Sequence, residues 1–220
     1  MIKIKHYGDI TKLHGDSLPI VDIITGGSPC QDLSLASRTR AGLAGERSGL
    51  FMDQIRVIKE MRENDRRNQG ADVDLRLLRP RYMVWENVPG ALSSGNPKGE
   101  DFRIVLEETI RIVEKDAVVP RPPKEGWHNS GCIVGNTWSV AWRVHDAQFW
   151  GVPQRRRRIA LVADFGGASA PEILFERKGL LGDSEQSGEE REETPGGITT
   201  GSGNASERSV TDRPLREALS

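Results

Sequence analysis

The short apolar run Val21-Asp22-Ile23-Ile24 runs directly into Gly26-Gly27-Ser28-Pro29-Cys30-Gln31-Asp32. The first stretch reads as a buried strand. The second reads as a turn shaped by glycine and proline that carries a cysteine at the point where the strand ends. This arrangement constrains the fold strongly, because in open α/β sheets the crevice at the carboxyl ends of the strands is where ligands bind. A thiol placed there is a candidate nucleophile, since its thiolate is the reactive form and glycines in the turn let a substrate approach closely. The competing assignment is a buried structural cysteine, the usual fate of a free thiol. The strand-end Pro-Cys-Gln setting favours the nucleophile.

The rest of the chain supplies matching elements. Ile2-Lys3-Ile4-Lys5-His6 alternates like a strand, and residues 20–25 form a second strand. Residues 31–49 are rich in Ser, Gly and Arg without a period, which predicts a long loop of the kind that closes over a site. Leu50, Phe51, Ile55, Ile58 and Met61 recur at helical spacing and predict a helix over 49–63, followed by an exposed polar connection over 64–79. Tyr82-Met83-Val84-Trp85 reads as a buried strand ending at Glu86-Asn87. A second amphipathic helix is predicted over 101–115, and strands over 139–144 and 159–163. Strands alternating with helices imply an α/β fold with a mainly parallel sheet. Trp127, His128 and Cys132 fall in the loop before the strand at 139 and are assigned to packing.

Composition narrows the classes. Hydrophobic residues make up 36% of the 220, enough for a core. No apolar run is long enough to span a membrane, and the N-terminus lacks the pattern of a signal peptide. Two cysteines do not make a disulfide framework, so a reduced, cytoplasmic protein is expected. Residues 171–220 carry 6 Lys/Arg against 11 Asp/Glu, a net of −5, whereas residues 1–170 carry 25 against 21, a net of +4. This predicts a mildly basic folded domain over 1–170 and an acidic, Gly/Ser/Glu-rich disordered tail over 171–220.

Two further clusters carry chemistry. Glu86-Asn87 places a carboxyl group beside an amide at a strand end, which suits recognition of a ring edge offering both a donor and an acceptor. Gln154-Arg155-Arg156-Arg157-Arg158 leads into the strand at 159. Strand alternation would put Gln154, Arg156 and Arg158 on one side and Arg155 and Arg157 on the other. One set can then line a site while the other meets a phosphate backbone.

Taken together these segments resemble the DNA (cytosine-5) methyltransferase family. Pro29-Cys30-Gln31 is similar to its nucleophile motif and Glu86-Asn87-Val88 to its ENV motif. Gln154-x-Arg156-x-Arg158, preceded by Gly151-Val152-Pro153, is similar to its QxRxR motif. Gly8-Asp9-Ile10 and Arg47-Ser48-Gly49-Leu50-Phe51 match weaker motifs in the same order, so the resemblance covers about residues 5–166. It implies a Rossmann-like methyltransferase sheet and S-adenosylmethionine as methyl donor, with Asp9 and Ile10 near the adenine and Pro29 and Leu50 near the rest of the donor. It implies that Cys30 attacks carbon 6 of a cytosine flipped out of double-stranded DNA, and that Glu86 bonds ring nitrogen 3 and the exocyclic amine. Asn87 would hold the cysteine loop, Arg158 would contact the cytosine carbonyl, and Gln154 and Arg156 would order the site. Arg38, Arg40 and Arg47 would belong to the closing loop.

The family's glycine-rich cofactor turn and its target-recognition domain have no counterpart here. The sheet is therefore expected to be incomplete at its N-terminal side, and the chain to be a truncated or split form needing a complementary fragment or subunit. A restriction-modification setting is expected, with phage or orphan roles equally compatible. The alternatives are a transfer RNA cytosine-5 methyltransferase, a non-catalytic nucleic-acid-binding remnant, or an unrelated α/β protein with a structural cysteine.

Overall fold

The computed structural model describes residues 4–28, 49–70, 72–151 and 153–175. Pro29, Cys30, residues 31–48 with the arginines expected to belong to a closing loop, Val152 and all but the first few residues of the acidic tail lie outside the described residues.

The fold is a mixed α/β sheet with helices packed on it. Its elements are β1 (Ile23–Gly26), α1 (Leu50–Gln69), β2 (Tyr82–Asn87), α2 (Glu100–Ile110), β3 (Ser130–Val134), β4 (Ser139–Asp146), β5 (Arg157–Asp164) and α3 (Ala170–Leu174). The sheet order is β1-β2-β5-β4-β3. Only β1 and β2 run parallel; β2–β5, β5–β4 and β4–β3 are antiparallel. The mainly parallel sheet expected from helix–strand alternation is thus corrected. After α2 the chain makes a β3–β4 hairpin and then returns through β5 between β4 and β2, with no crossover helix to force parallel pairing.

One face of the sheet packs on α1 and α2. Phe51, Ile55, Ile58 and Met61 of α1 and Phe102, Val105, Leu106 and Ile110 of α2 lie in one core with Met83, Trp85, Ile159, Leu161 and Val140. The centre of this core is aromatic. Phe102 contacts Trp85, Trp127 and Trp142, with ring centroids 5.5–6.3 Å apart, mostly edge to face, the geometry that ring quadrupoles favour. Trp127, expected only to pack, does so and donates Nε1–H to the carbonyl of Gly99 at 2.9 Å. Cys132 instead lies exposed on the edge strand β3, not in a loop. The opposite face is covered where Ala170, Leu174 and Phe175 meet Val84, Ala141 and Val162.

Other boundaries moved as well. Residues 4–6 are without regular structure, because alternation gives a strand only where a neighbouring strand completes the ladder. Helix α1 continues past 63 to Gln69, through a stretch expected to be an exposed connection. Its inner face there is charged but satisfied. Arg62 donates to the carbonyls of Leu75, Leu78 and Pro80, and Asp65 accepts from the Arg79 amide and from Gln69. Gly70, at φ +100°, ends the helix. Among the described residues no helix is long and apolar enough to cross a membrane.

Candidate active site

Of the candidate residues, Glu86, Asn87 and Arg158 gather at one end of the sheet, where β1 and β2 finish and β5 begins. Gly26 pairs with Trp85 across the parallel ladder, so Gly27 lies level with Glu86. A Cβ on Gly27 would sit 3.2 Å from Glu86 Oε2, and one on Gly26 would overlap the side chain of Gln54. Gly26 is therefore needed to let the β1 terminus pass Gln54 of α1, whereas a side chain at 27 would require the Glu86 carboxylate to give by a few tenths of an ångström. The Gln54 amide is buried there, and its Nε2 has no hydrogen-bond partner among the described residues.

Asn87, the last residue of β2, is buried and donates Nδ2–H to the carbonyl of Ser28 at 2.9 Å. Its Oδ1 accepts the amide of Val88 at 2.8 Å, which orients the side-chain amide. Trp85 donates Nε1–H to Ser28 Oγ at 3.1 Å. Ser28, the last described residue before Pro29 and Cys30, is thus held at both its carbonyl and its hydroxyl. The sequence pattern had given Ser28 no role, although it lies inside the Gly-Gly-Ser-Pro turn. A small polar residue between a strand and a reactive position was the signal available.

Glu86 points out of the sheet and meets Arg158, with Nε to Oε1 at 2.9 Å. The pair is half-exposed. Arg158 also donates to the Arg157 carbonyl at 2.8 Å, which fixes the guanidinium over the start of β5. Gln154 and Arg156 do not join this pair. Both are exposed, and their side chains make no hydrogen bond to Glu86 or Arg158; Arg156 is tied through its backbone amide to Asp146 Oδ1 at 3.2 Å. The strand starts only at Arg157, so the alternation expected to align Gln154 and Arg156 with Arg158 does not extend back to them.

The segment carrying Asp9 and Ile10 is fastened to α1 by Arg56. Its guanidinium donates to the carbonyls of Leu13 at 2.6 Å and Ile10 at 3.0 Å while pairing with Asp53 and Glu60. Glu60 in turn accepts the amide of Gly15 at 2.6 Å. Leu50, earlier on α1, is exposed at the helix start. Asp9 accepts both the amide and the hydroxyl of Thr11 on Oδ1, at 3.0 and 2.9 Å. These bonds, the amide first, hold its carboxyl below the usual carboxylate range. The role of Arg56 was not read from the sequence; its spacing to Asp53 and Glu60 was the accessible signal.

The fold is a mixed α/β sheet on which a carboxylate and a guanidinium meet at strand ends. A family model for C-5 cytosine-specific DNA methylases matches residues 2–112, and the chain belongs to that family. Among its relatives, the DNA N-6-adenine-methyltransferase of Escherichia phage P1 is 33% identical over 196 residues, covering 80% of this chain and 25% of that protein. The type II methyltransferase M.BsuFI of Bacillus subtilis is 29% identical, covering 72% of this chain and 28% of that protein. The DNA (cytosine-5-)-methyltransferase M.ApeKI of Aeropyrum pernix is 28% identical, covering 70% and 29%. The chain therefore spans about a quarter to three-tenths of the length of these relatives. Among solved structures, the Dnmt2 methyltransferase of S. pombe aligns with a TM-score of 0.41 at 16% identity, over 84% of this chain and 42% of that one.

Proposed function

We propose that the chain is the central catalytic region of a DNA (cytosine-5-)-methyltransferase. The observation that carries this reading is the meeting of Glu86 and Arg158 beside the anchored Ser28, because it gathers residues of two separate motifs and the residue that precedes the third around one strand end. When bound, S-adenosylmethionine supplies an electrophilic methyl group. The residues present fit the adenine end of such a donor. Asp9 Oδ2 makes no hydrogen bond among the described residues, so an ionised oxygen is available to accept from an exocyclic amine, and Ile10 offers apolar contact beside it, while Leu50 would meet the rest of the donor.

In this reading the Cys30 thiolate forms a bond to carbon 6 of a flipped cytosine, and the displaced ring electrons raise the nucleophilicity of carbon 5. Glu86 holds ring nitrogen 3 and the exocyclic amine, where charge develops as the adduct forms. Arg158 holds both Glu86 and the cytosine carbonyl oxygen, while Gln154 and Arg156 order the entrance. Asn87 fixes the start of the cysteine turn through Ser28. Once carbon 5 carries the methyl group, loss of its proton to a base, water in the simplest case, breaks the sulfur–carbon bond and returns the thiolate. A complementary chain or domain supplies the remaining donor contacts and the sequence reading.

The test is covalent trapping on 5-fluorocytosine duplex DNA with S-adenosylmethionine, because fluorine at carbon 5 blocks the final elimination. The reading expects an adduct that resists denaturation and disappears in Cys30→Ala. Methyl transfer to adenine with no trapped cytosine would overturn it in favour of the chemistry that names the phage P1 relative. Adduct formation on transfer RNA but not on DNA would move the substrate to RNA.

A further inference from the structure

The connection between β4 and β5 carries features that the proposed cytosine chemistry does not use. Residues Ala147–Trp150 form a single 3-10 turn capped by Asp146, whose Oδ1 accepts the amides of Gln148 and Arg156 at 3.3 and 3.2 Å. The Ala147 amide bonds the Arg156 carbonyl at 3.1 Å, so the loop is closed at its base. On this closed loop stand Phe149 and Trp150, 79% and 60% exposed. Trp150 is braced by the His145 ring, edge to face at 5.9 Å, which leaves much of its surface open. A few residues further on come Arg155, Arg156 and Arg157, all exposed and without a carboxylate within 4 Å among the described residues.

Two large exposed aromatic rings are costly to leave in water. Set beside unpaired guanidiniums, they match a ligand that offers flat π-faces at intervals along an anionic backbone. We propose that Phe149 and Trp150, together with Arg155 and Arg157, form a stacking platform for unpaired bases. Trp150 and Phe149 take the base faces, and Arg155 and Arg157 the phosphates, so the chain holds opened or single-stranded DNA in preference to intact duplex. The inference rests on the reading of DNA as substrate and adds a site for the bases beside the flipped one, because the loop leads directly into the strand that carries Arg158.

The test uses the full chain with Cys30→Ala, so that binding is measured without covalent capture. Fluorescence anisotropy compares a labelled oligonucleotide as a single strand and as a blunt duplex. The single strand is expected to bind more tightly, and the Phe149→Ala/Trp150→Ala variant to lose about tenfold or more for it, with little change for duplex. Trp150→Phe, which keeps a ring, should restore most of the loss. Arg155→Gln/Arg157→Gln should weaken both forms and flatten the salt dependence. Because both rings are exposed, their truncation leaves the core intact, and an unchanged thermal melt checks this. Equal binding of single strand and duplex, or an equal loss for both, overturns the platform. Binding to anionic vesicles with none to DNA also overturns it, in favour of a lipid surface. Absence of a fluorocytosine adduct in the wild type, with the stacking pattern intact, would sink the catalytic reading and leave the platform standing.

Discussion

Replacing Asp164 by Asn should destabilise the domain by about 2–4 kcal/mol at pH 7, and the loss should shrink as the solution is acidified. Asp164 ends β5 and is fully buried. Burial alone would raise its pKa, but this is outweighed by the Arg81 guanidinium, the Ser169 hydroxyl and the amides of Gly166 and Ser169, which together lower it to about 2. Arg81 bonds both carboxylate oxygens, at 2.9 and 3.1 Å, and Ser169 reaches Oδ2 through its hydroxyl at 2.5 Å and its amide at 3.2 Å. A fall from an unfolded value of about 3.8 to about 2 corresponds to about 2 kcal/mol favouring the folded state. Asparagine also turns an NH2 group toward donors that lose their acceptor, which accounts for the upper end of the range. For a domain of this size the melting temperature should fall by roughly 5–15 °C. Because the folded pKa is depressed, the contribution is complete above the unfolded value and is lost as pH falls through about 2. Melts of wild type and variant should therefore converge between about pH 4 and pH 2, other acidic groups cancelling in the difference. A gap below about 0.5 kcal/mol at pH 7, or one that stays constant down to about pH 2, would refute the reasoning.

Three other substitutions test how the site is held. Asn87→Asp sets a carboxylate against the Ser28 carbonyl in a buried position; it should cost roughly 2–4 kcal/mol in chemical denaturation and slow adduct formation at Cys30. Gly131→Ala would push a methyl group into the Trp142 indole, which Phe102 and Trp127 keep from moving; a thermal melt should show about 1–3 kcal/mol of overpacking. Arg56→Met removes the bonds to the Ile10 and Leu13 carbonyls; amide exchange over residues 10–17 should accelerate while β2 and β5 stay protected, and Arg56→Lys should restore part of the protection.

The elements legible in the sequence were those whose buried face is apolar and periodic: the first turns of α1, then α2, β2, β4 and β5. What escaped was structure stabilised by other means. The last turns of α1 bury Arg62 and Asp65, satisfied by carbonyls and amides of the loop before β2, so no hydrophobic period marks them. Strand β3 has an exposed and a half-exposed face and exists because it pairs with β4; the Gly135-Asn136-Thr137 turn was its one local signal. Glu86, Asn87 and Arg158 were each visible as motif residues. The Ser28 anchor and the Arg56 clamp were not, since both depend on side chains reaching backbone carbonyls distant in sequence.

The sheet topology explains why Glu86 and Arg158 meet, and it is the feature the alternation of helices and strands concealed. Glu86 stands near the carboxyl end of β2, and Arg158 is the second residue of β5. A parallel β5 would have begun beside Tyr82, about 13 Å away at a rise near 3.3 Å per residue. Because β5 runs antiparallel, Asp164 lies opposite Tyr82 and Ala160 opposite Glu86, and Arg158 extends just past the end of β2. The start of one strand is thereby delivered to the finish of its neighbour. The same reversal sends the β4–β5 loop, with Phe149, Trp150 and the arginine run, to that end of the sheet. It places the Asp164–Arg81 pair at the far end of the same two strands. Arg81 and Asp164 thus clamp one end of the ladder whose other end sets Arg158 against Glu86, so loosening the buried pair should also loosen the exposed one, whereas breaking the exposed pair should leave the buried one intact.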